Sequence, residues 1–116
     1  MSTSDEASGV VVVLTTTADD ASASRLARAL VEERLAACVT RMAARSVYRW
    51  EKPEGTAQDI CDEEEVLLVI KSARSRLEDL QRRILALNGY ECPEIVVLDP
   101  ESVEPRYRAW LLAACR

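Results

Sequence analysis

The sequence predicts an α+β domain in which a four-stranded antiparallel sheet carries two helices on one face. Two observations predict it: short β-branched runs alternate with helical stripes in the order β-α-β-β-α-β, and the second and third strands follow each other directly, as a long hairpin. The chain has 116 residues, a length typical of one domain. We therefore expect a disordered lead at residues 1–8 and a single domain over residues 9–116.

A change in periodicity predicts the first strand and the first helix. Residues 10–14 are five consecutive apolar residues, four of them valine, which is typical of a strand buried on both faces. Residues 23–31 then repeat apolar side chains at helical spacing, which predicts a helix ending near Ala37. Thr17 or Asp19 is the predicted N-cap.

The hairpin is predicted by β formers that flank a polar segment. Residues 38–51 contain valine, tyrosine and tryptophan, and a strand of this length extends on the order of 45 Å at about 3.3 Å per residue. Residues 52–64 are polar and include proline and glycine, which predicts the hairpin loop. Residues 65–71 are the returning strand.

Local signals predict the last three elements. Ser75 and Glu78 have the spacing of a capping box at the start of a second helix, and the Asn-Gly pair at 88–89 predicts a left-handed helix stop. Residues 95–98 form a fourth strand, and Pro105 begins a C-terminal helix. Two β-α-β units interleaved in this order give the ferredoxin-like arrangement.

The predicted strands leave an apolar sheet face without cover. When both helices lie on one face, the other face should alternate apolar and polar residues, yet residues 10–14, 66–70 and 95–98 do not alternate. Leaving each such side chain in water costs about 1.5–3 kcal/mol. The terminal helix can cover only part of this face, so we expect other copies of the chain to cover the rest, in a symmetric oligomer.

Composition excludes several classes of protein. The chain has no histidine and only three glycines, which excludes serine-histidine or cysteine-histidine nucleophile pairs and glycine-rich phosphate loops. A net charge of -5 argues against a nucleic-acid partner, and no apolar run approaches the roughly 20 residues of a membrane helix. Four scattered cysteines and an acidic N-terminus without a signal pattern predict a cytoplasmic protein with free thiols.

Five sequence blocks together resemble the CutA divalent-cation tolerance family, in order over about residues 10–112. The blocks are VVVLTT at 11–16, ALVEERLAACV at 29–39, SVYRWE at 46–51, EVLLVIKS at 65–72 and YECPEI at 90–95. The resemblance implies a ferredoxin-like subunit in a homotrimer whose long hairpins wrap around neighbouring subunits. It also implies a role in tolerance of copper or other divalent metals, as a binding or signalling module and not as an enzyme.

The residues that suit copper in some members of that family are absent here. Those members have a cysteine after the first strand and a histidine before the Tyr-x-x-Pro-Glu block, whereas this chain has Thr15, then Leu87 and Asn88. Thiolate and imidazole are the preferred copper ligands. We therefore predict no firm metal site, only weak affinity for copper or another divalent cation. Cys92 is the remaining thiolate candidate, although packing is the favoured interpretation.

Four residues in the family blocks are the predicted ligand-binding residues. Tyr48, Trp50, Lys71 and Glu94 combine aromatic rings with opposite charges, a mixture suited to a small ligand in a cleft between subunits. The alternative is an interface core of aromatic anchors with an ion pair.

Two other functions are weighed against this one. The resemblance also extends to PII-type signalling proteins, and a nucleotide sensor of that type would use Arg49, Lys71 and Arg74, but the chain lacks glycines for close phosphate approach. An acylphosphatase-like hydrolase needs an arginine and an amide in its phosphate loop, and residues 15–20 contain neither.

Overall fold

The computed structural model describes residues 8–51 and 58–116, and the side chains of residues 8–50 and 60–116. The elements in chain order are β1 Val10–Thr17, α1 Asp20–Glu32, β2 Cys38–Glu51, β3 Gln58–Ala73, a 3₁₀ turn Arg74–Arg76, α2 Leu77–Leu87, β4 Val96–Leu98 and α3 Pro105–Ala114. Within these residues the sheet order is β2-β3-β1-β4 with every pair antiparallel. The predicted ferredoxin-like fold is confirmed.

The hairpin is longer than the sequence suggested. β2 and β3 pair continuously from Cys38 opposite Lys71 to Glu51 opposite Gln58. The predicted loop at 52–64 is therefore wrong for residues 58–64, which belong to β3; residues 52–57 lie outside the described residues. Asp and Glu disfavour strands by propensity, but here the backbone ladder with β2 and cross-strand contacts override that preference. One such contact is the Arg45 Nε bond to Asp62 Oδ1 at 2.7 Å.

The main core lies between the sheet and the pair α1 and α2. Alternate residues of β1 and β3 face the helices because strand side chains repeat every two residues. The fully buried members of this core are Val11, Val13, Leu26, Leu30, Leu68, Ile70, Leu80 and Ile84.

The opposite side of the sheet, here called the open face, is apolar and only partly covered. Its aliphatic side chains are Val12, Leu14, Met42, Leu67, Val69, Val96 and Leu98, which lie opposite one another across the ladders. α3 covers one end, where Leu111 is buried against Val10 and Ala73. Elsewhere Met42, Val96 and Leu98 are 43–46% exposed, so the predicted lack of cover is present in the single chain.

α1 begins at the predicted aspartate. Asp19 Oδ1 accepts the backbone N–H of Ser22 at 2.7 Å, which satisfies one of the free amides of the first turn. Thr17, the other predicted cap, is instead the last residue of β1.

α1 ends at Glu32, five residues before the predicted end at Ala37. Arg34 has a φ of 61°, and the next N–H, that of Leu35, bonds the carbonyl of Leu30 at 2.9 Å. This is the left-handed termination that glycine usually provides. Arginine gives no sequence signal for such a stop.

Replacing Arg34 tests the cost of that backbone conformation. A left-handed residue with a Cβ costs about 1–2 kcal/mol relative to glycine. We expect Arg34→Gly to have a free energy of unfolding about 1 kcal/mol above that of Arg34→Ala, measured by urea denaturation at equal subunit concentration. Both variants lose the side chain, so the difference isolates the backbone. An Arg34→Ala variant as stable as Arg34→Gly would contradict the left-handed assignment.

α2 lies between the two predicted end signals, Ser75 and Asn88, but the capping interactions predicted at both ends are wrong. Ser75 lies in the turn Arg74–Arg76, and no side chain caps the helix that follows. The residues at 88–89 form no left-handed stop, since Asn88 is extended with a φ of -75°. Tertiary contacts hold it there: the Asn88 amide donates to the Thr16 carbonyl at 3.0 Å and accepts the N–H of Tyr90 at 2.9 Å.

The first described residue is part of the fold. Ser8, assigned by sequence to the disordered lead, is buried; its hydroxyl accepts the N–H of Val10 at 3.0 Å and its carbonyl accepts Arg108 Nε at 2.5 Å. Residues 1–7 lie outside the described residues.

Among the helices of the described residues, none combines the length and the apolar content that crossing a bilayer demands.

Candidate functional site

A cavity of about 610 Å³ lies where the hairpin leaves the body of the subunit. The segment between α2 and β4 forms its second wall. Aromatic rings and carboxylates dominate the lining, which we call the hairpin cavity: Tyr48, Trp50, Tyr90, Glu63, Glu65, Glu91 and Glu94, with Cys61, Cys92, Thr16, Ser46 and Val47.

The two-residue alternation of side chains along a strand brings these cavity residues onto one face. Tyr48 and Trp50 are alternate residues of β2, and Glu63 and Glu65 are alternate residues of β3, so each pair projects from one face. Cys61 lies directly opposite Tyr48. The hairpin cavity therefore continues the open face into its polar end.

Two tyrosine-carboxylate hydrogen bonds order the cavity walls. The Tyr48 hydroxyl donates to Glu63 Oε1 at 2.5 Å, and the Tyr90 hydroxyl donates to Glu65 Oε2 at 2.6 Å. The bond to Glu63 is the main cause that raises the pKa of Tyr48. Burial, followed by the bond to Glu65, raises the pKa of Tyr90. Both phenols are held as neutral donors.

These bonds predict the pH dependence of tyrosine ionisation. All three tyrosines have a pKa raised above the ordinary 10.0, Tyr107 by burial. We expect phenolate absorbance to appear at higher pH in the native protein than in the urea-unfolded chain. A raised folded pKa contributes stability that is complete below about pH 10 and is lost as the pH rises through the folded value.

The two variants compared in this titration change glutamates on opposite faces of β3. Glu63→Gln removes the charge bonded to Tyr48 and should bring part of the titration back towards 10.0, whereas Glu64→Gln, on the opposite face of β3, should leave the curve unchanged. Native and unfolded titration curves that coincide would contradict the two hydrogen bonds.

The structure brings together three of the four predicted ligand-binding residues. Tyr48, Trp50 and Glu94 line the hairpin cavity. Lys71 does not: it lies ten residues from Cys61 along β3, about 33 Å at the strand rise. Its Nζ donates to Thr40 Oγ1 at 2.6 Å. Within one subunit, Lys71 therefore lies far from the hairpin cavity.

Among the described residues, cysteine, aspartate and glutamate side chains are the candidate metal ligands. Cys92 is exposed and Cys61 half-buried in the cavity lining, yet in the described part of the chain no three Cys, Asp or Glu side chains converge as metal ligands do. The two positions at which the family resemblance implied copper ligands do meet, since Asn88 Nδ2 lies 3.4 Å from Thr15 Oγ1. An amide and a hydroxyl are poor copper ligands.

The structure also shows where the residues needed for the two alternative functions lie. Arg49 lies opposite Ile60 near the hairpin end, whereas Lys71 and Arg74 lie at the other end of β3. Arg74 forms an ion pair with Asp99. Residues 15–20 are the segment in which a hydrolase of this type would need its phosphate loop, and there Asp19 caps α1. Within one subunit, these basic groups do not converge on a phosphate.

Sequence reasoning did not place Cys61, Tyr90 or Glu91 in the site. For the acidic run 62–65, which contains Glu63 and Glu65, it favours a solvated hairpin end over a weak cation site. The assignment of residues 52–64 to a loop concealed Cys61 and Glu63. The alternation of Cys61, Glu63 and Glu65 is the available signal, because it places three polar side chains on one strand face. Nothing in the sequence indicates that residues 90–94 close over that face.

Comparisons with known proteins agree on one family. Residues 11–114 match the family described as CutA1 divalent ion tolerance protein. A divalent-cation tolerance protein CutA from Pectobacterium atrosepticum is 41% identical over 107 residues, covering 91% of this chain and 92% of that protein. The corresponding protein of Thermus thermophilus is 38% identical over 101 residues, covering 86% and 92%.

Solved structures give the same result for the fold. A crystal structure of Pyrococcus horikoshii CutA1 superposes with a TM-score of 0.84 at 31% identity, covering 91% of this chain and 98% of that one. The Thermus thermophilus structure superposes with a TM-score of 0.81 at 37% identity, covering 90% and 97%.

Proposed function

Because the chain belongs to the CutA1 divalent ion tolerance family, we propose that it contributes to divalent-cation tolerance as a homotrimeric binding or signalling module in the cytoplasm, without catalysis. The relatives carry the tolerance function in their names. The open face is the single observation that carries the proposed assembly, because an exposed apolar sheet face favours burial against other copies of the chain.

The open face supports a homotrimer through its exposed aliphatic area. Met42, Val96 and Leu98 are all more than 40% exposed in the single chain, and they adjoin the half-buried Leu14 and Val69 across the ladders. A contiguous apolar surface of this kind marks an interaction site. A second copy presents the same surface, so closed symmetry can bury it.

The end of the hairpin supports the same assembly. Val47 and Ile60 are 67% and 61% exposed because they lie on the helix side of the hairpin, beyond the reach of α1 and α2. Neighbouring subunits can cover them where the hairpin crosses onto another copy.

The cation involved is a weakly held ligand under this proposal. Four carboxylates line the hairpin cavity, and carboxylates attract copper or other divalent ions without closing a full coordination shell. No group of three ligands converges in the described residues, which favours low affinity. The chain contains no histidine, so none of its cysteines can be activated by an imidazole. This supports the part of the proposal that the protein acts without catalysis.

Sedimentation equilibrium and calorimetry test the proposal. We expect a trimer at micromolar subunit concentration, and weak heats on titration with Cu²⁺ or Mg²⁺. A stable single chain at that concentration would contradict the assembly. Hydrolysis of an acyl phosphate at enzymatic rates would contradict the absence of catalysis.

A further inference from the structure

The hairpin cavity is strongly negative. Glu63, Glu65, Glu91 and Glu94 line it, and no lysine or arginine of the described residues does. Glu63 and Glu65 are each positioned by a tyrosine hydroxyl. Glu91 and Glu94 accept no hydrogen bond from the described part of the chain, so both carboxylates remain available to a cationic ligand.

Aromatic rings share the lining with these carboxylates. Tyr48, Trp50 and Tyr90 contribute to the walls of the hairpin cavity, and the indole of Trp50 is half exposed. Aromatic faces attract organic ammonium groups and pack against the methylene segments between them. Inorganic cations gain little from such walls, because they retain water or require oxygen ligands.

The carboxylates also do not converge as the ligands of a metal do. Glu63 and Glu65 are alternate residues of β3, and each is held by a different tyrosine hydroxyl. Divalent metals require several oxygen ligands converging within about 2.0–2.6 Å, and the described residues contain no such group. The volume of about 610 Å³ falls in the range of small-molecule sites, roughly 300–1,000 Å³.

We propose that the hairpin cavity binds a linear alkyl polyamine, with its ammonium groups on the glutamates and its methylene segments against the aromatic rings. This ligand has several positive charges joined by apolar segments, which matches a lining that combines several carboxylates with aromatic rings. The inference rests on the proposed binding role and names the class of its ligand.

Calorimetric titration of the full chain with spermidine tests the inference. We expect saturable binding that the double variant Glu91→Gln/Glu94→Gln weakens by at least about tenfold, since charge-assisted hydrogen bonds are lost. The matched control is Glu64→Gln/Glu101→Gln, which has the same net charge. Glu64 lies on the opposite face of β3, and neither residue lines the cavity. Spermidine affinity in the control should change less than about twofold, because distant charges are screened.

Fluorescence locates the ligand. The chain has two tryptophans, so in Trp110→Phe the indole emission reports on Trp50 alone. Spermidine should shift that emission with the same midpoint as the calorimetric titration. Equal weakening in both double variants would show only diffuse attraction to an acidic chain and would overturn the inference. Mg²⁺ should bind the same carboxylates only weakly, so a MgCl₂ titration that gave the same emission change at the same midpoint would assign the cavity to inorganic cations and would also overturn the inference.

Sedimentation of the same samples separates this inference from the proposed function. A trimer that binds no spermidine at millimolar concentration overturns the polyamine site alone. A single chain that binds spermidine overturns the trimer but supports the site, and a single chain that binds none overturns both.

Discussion

Leu14→Asp is expected to convert the proposed homotrimer into single chains. Leu14 lies on the open face between Val69 on β3 and Val96 on β4. The residues directly opposite it on both neighbouring strands are valines, and Lys71, the nearest base on this face, already donates to Thr40. A carboxylate at position 14 would therefore be buried against apolar side chains in the assembly, at a cost of about 3–5 kcal/mol per copy where it stays unpaired. Sedimentation equilibrium at micromolar concentration should show the mass of one subunit.

The control for this variant carries the same change on another surface. Leu85 on α2 is 58% exposed and lies on the helix side of the sheet, so Leu85→Asp should remain a trimer. In the single chain the aspartate at position 14 reaches water, because Leu14 is only half-buried. The far-ultraviolet circular dichroism of both variants should therefore match that of the parent chain. An intact trimer in Leu14→Asp would show that another surface carries the assembly.

Leu111→Ala is expected to remove about 2–5 kcal/mol from the free energy of unfolding, the cost of a cavity at a fully buried leucine. Leu111 is 0% exposed and joins α3 to Val10 and Ala73. The helix has ten residues, fewer than the roughly 12–15 that an isolated helix needs, so it depends on this contact. Urea unfolding at fixed subunit concentration measures the loss, since assembly contributes to the apparent stability.

Hydrogen exchange shows whether the loss is local. Three polar contacts also hold the end of the chain: Arg76 Nε donates to the Cys115 carbonyl at 2.7 Å, Arg108 Nε donates to the Ser8 carbonyl, and Arg34 Nη1 donates to the Ala114 carbonyl at 3.5 Å. In Leu111→Ala, amides of α3 should lose protection before those of the main core. Leu85→Ala is the control and should change stability by less than about 0.5 kcal/mol, since that side chain is exposed. Unchanged protection of α3 would contradict its dependence on Leu111.

Elements whose cause is local could be predicted from the sequence. The bounds of β2 agree with the prediction because β formers such as Val39, Val47 and Trp50 recur along the segment that precedes the polar, proline-containing stretch. Asp19 caps α1 because its side chain needs only the amide three residues later. Pro105 begins α3 because its missing N–H costs nothing in a first turn.

Long-range pairing decided the elements that were missed. The acidic residues 62–64 form a strand only because β2 lies beside them with open hydrogen-bonding groups. Asn88 stays extended because the end of β1 offers it a carbonyl. Neither partner is near in sequence, so no local pattern contains the signal.

The sequence by itself determined the order of elements, the ferredoxin-like sheet and the apolar open face, because periodicity and propensity are properties of neighbouring residues. Only the tertiary structure decided which predicted site residues meet. Tyr48, Trp50 and Glu94 share the hairpin cavity while Lys71 lies far along β3. Register and the path of residues 90–94 set those distances, and both arise from contacts between segments that are remote in the chain.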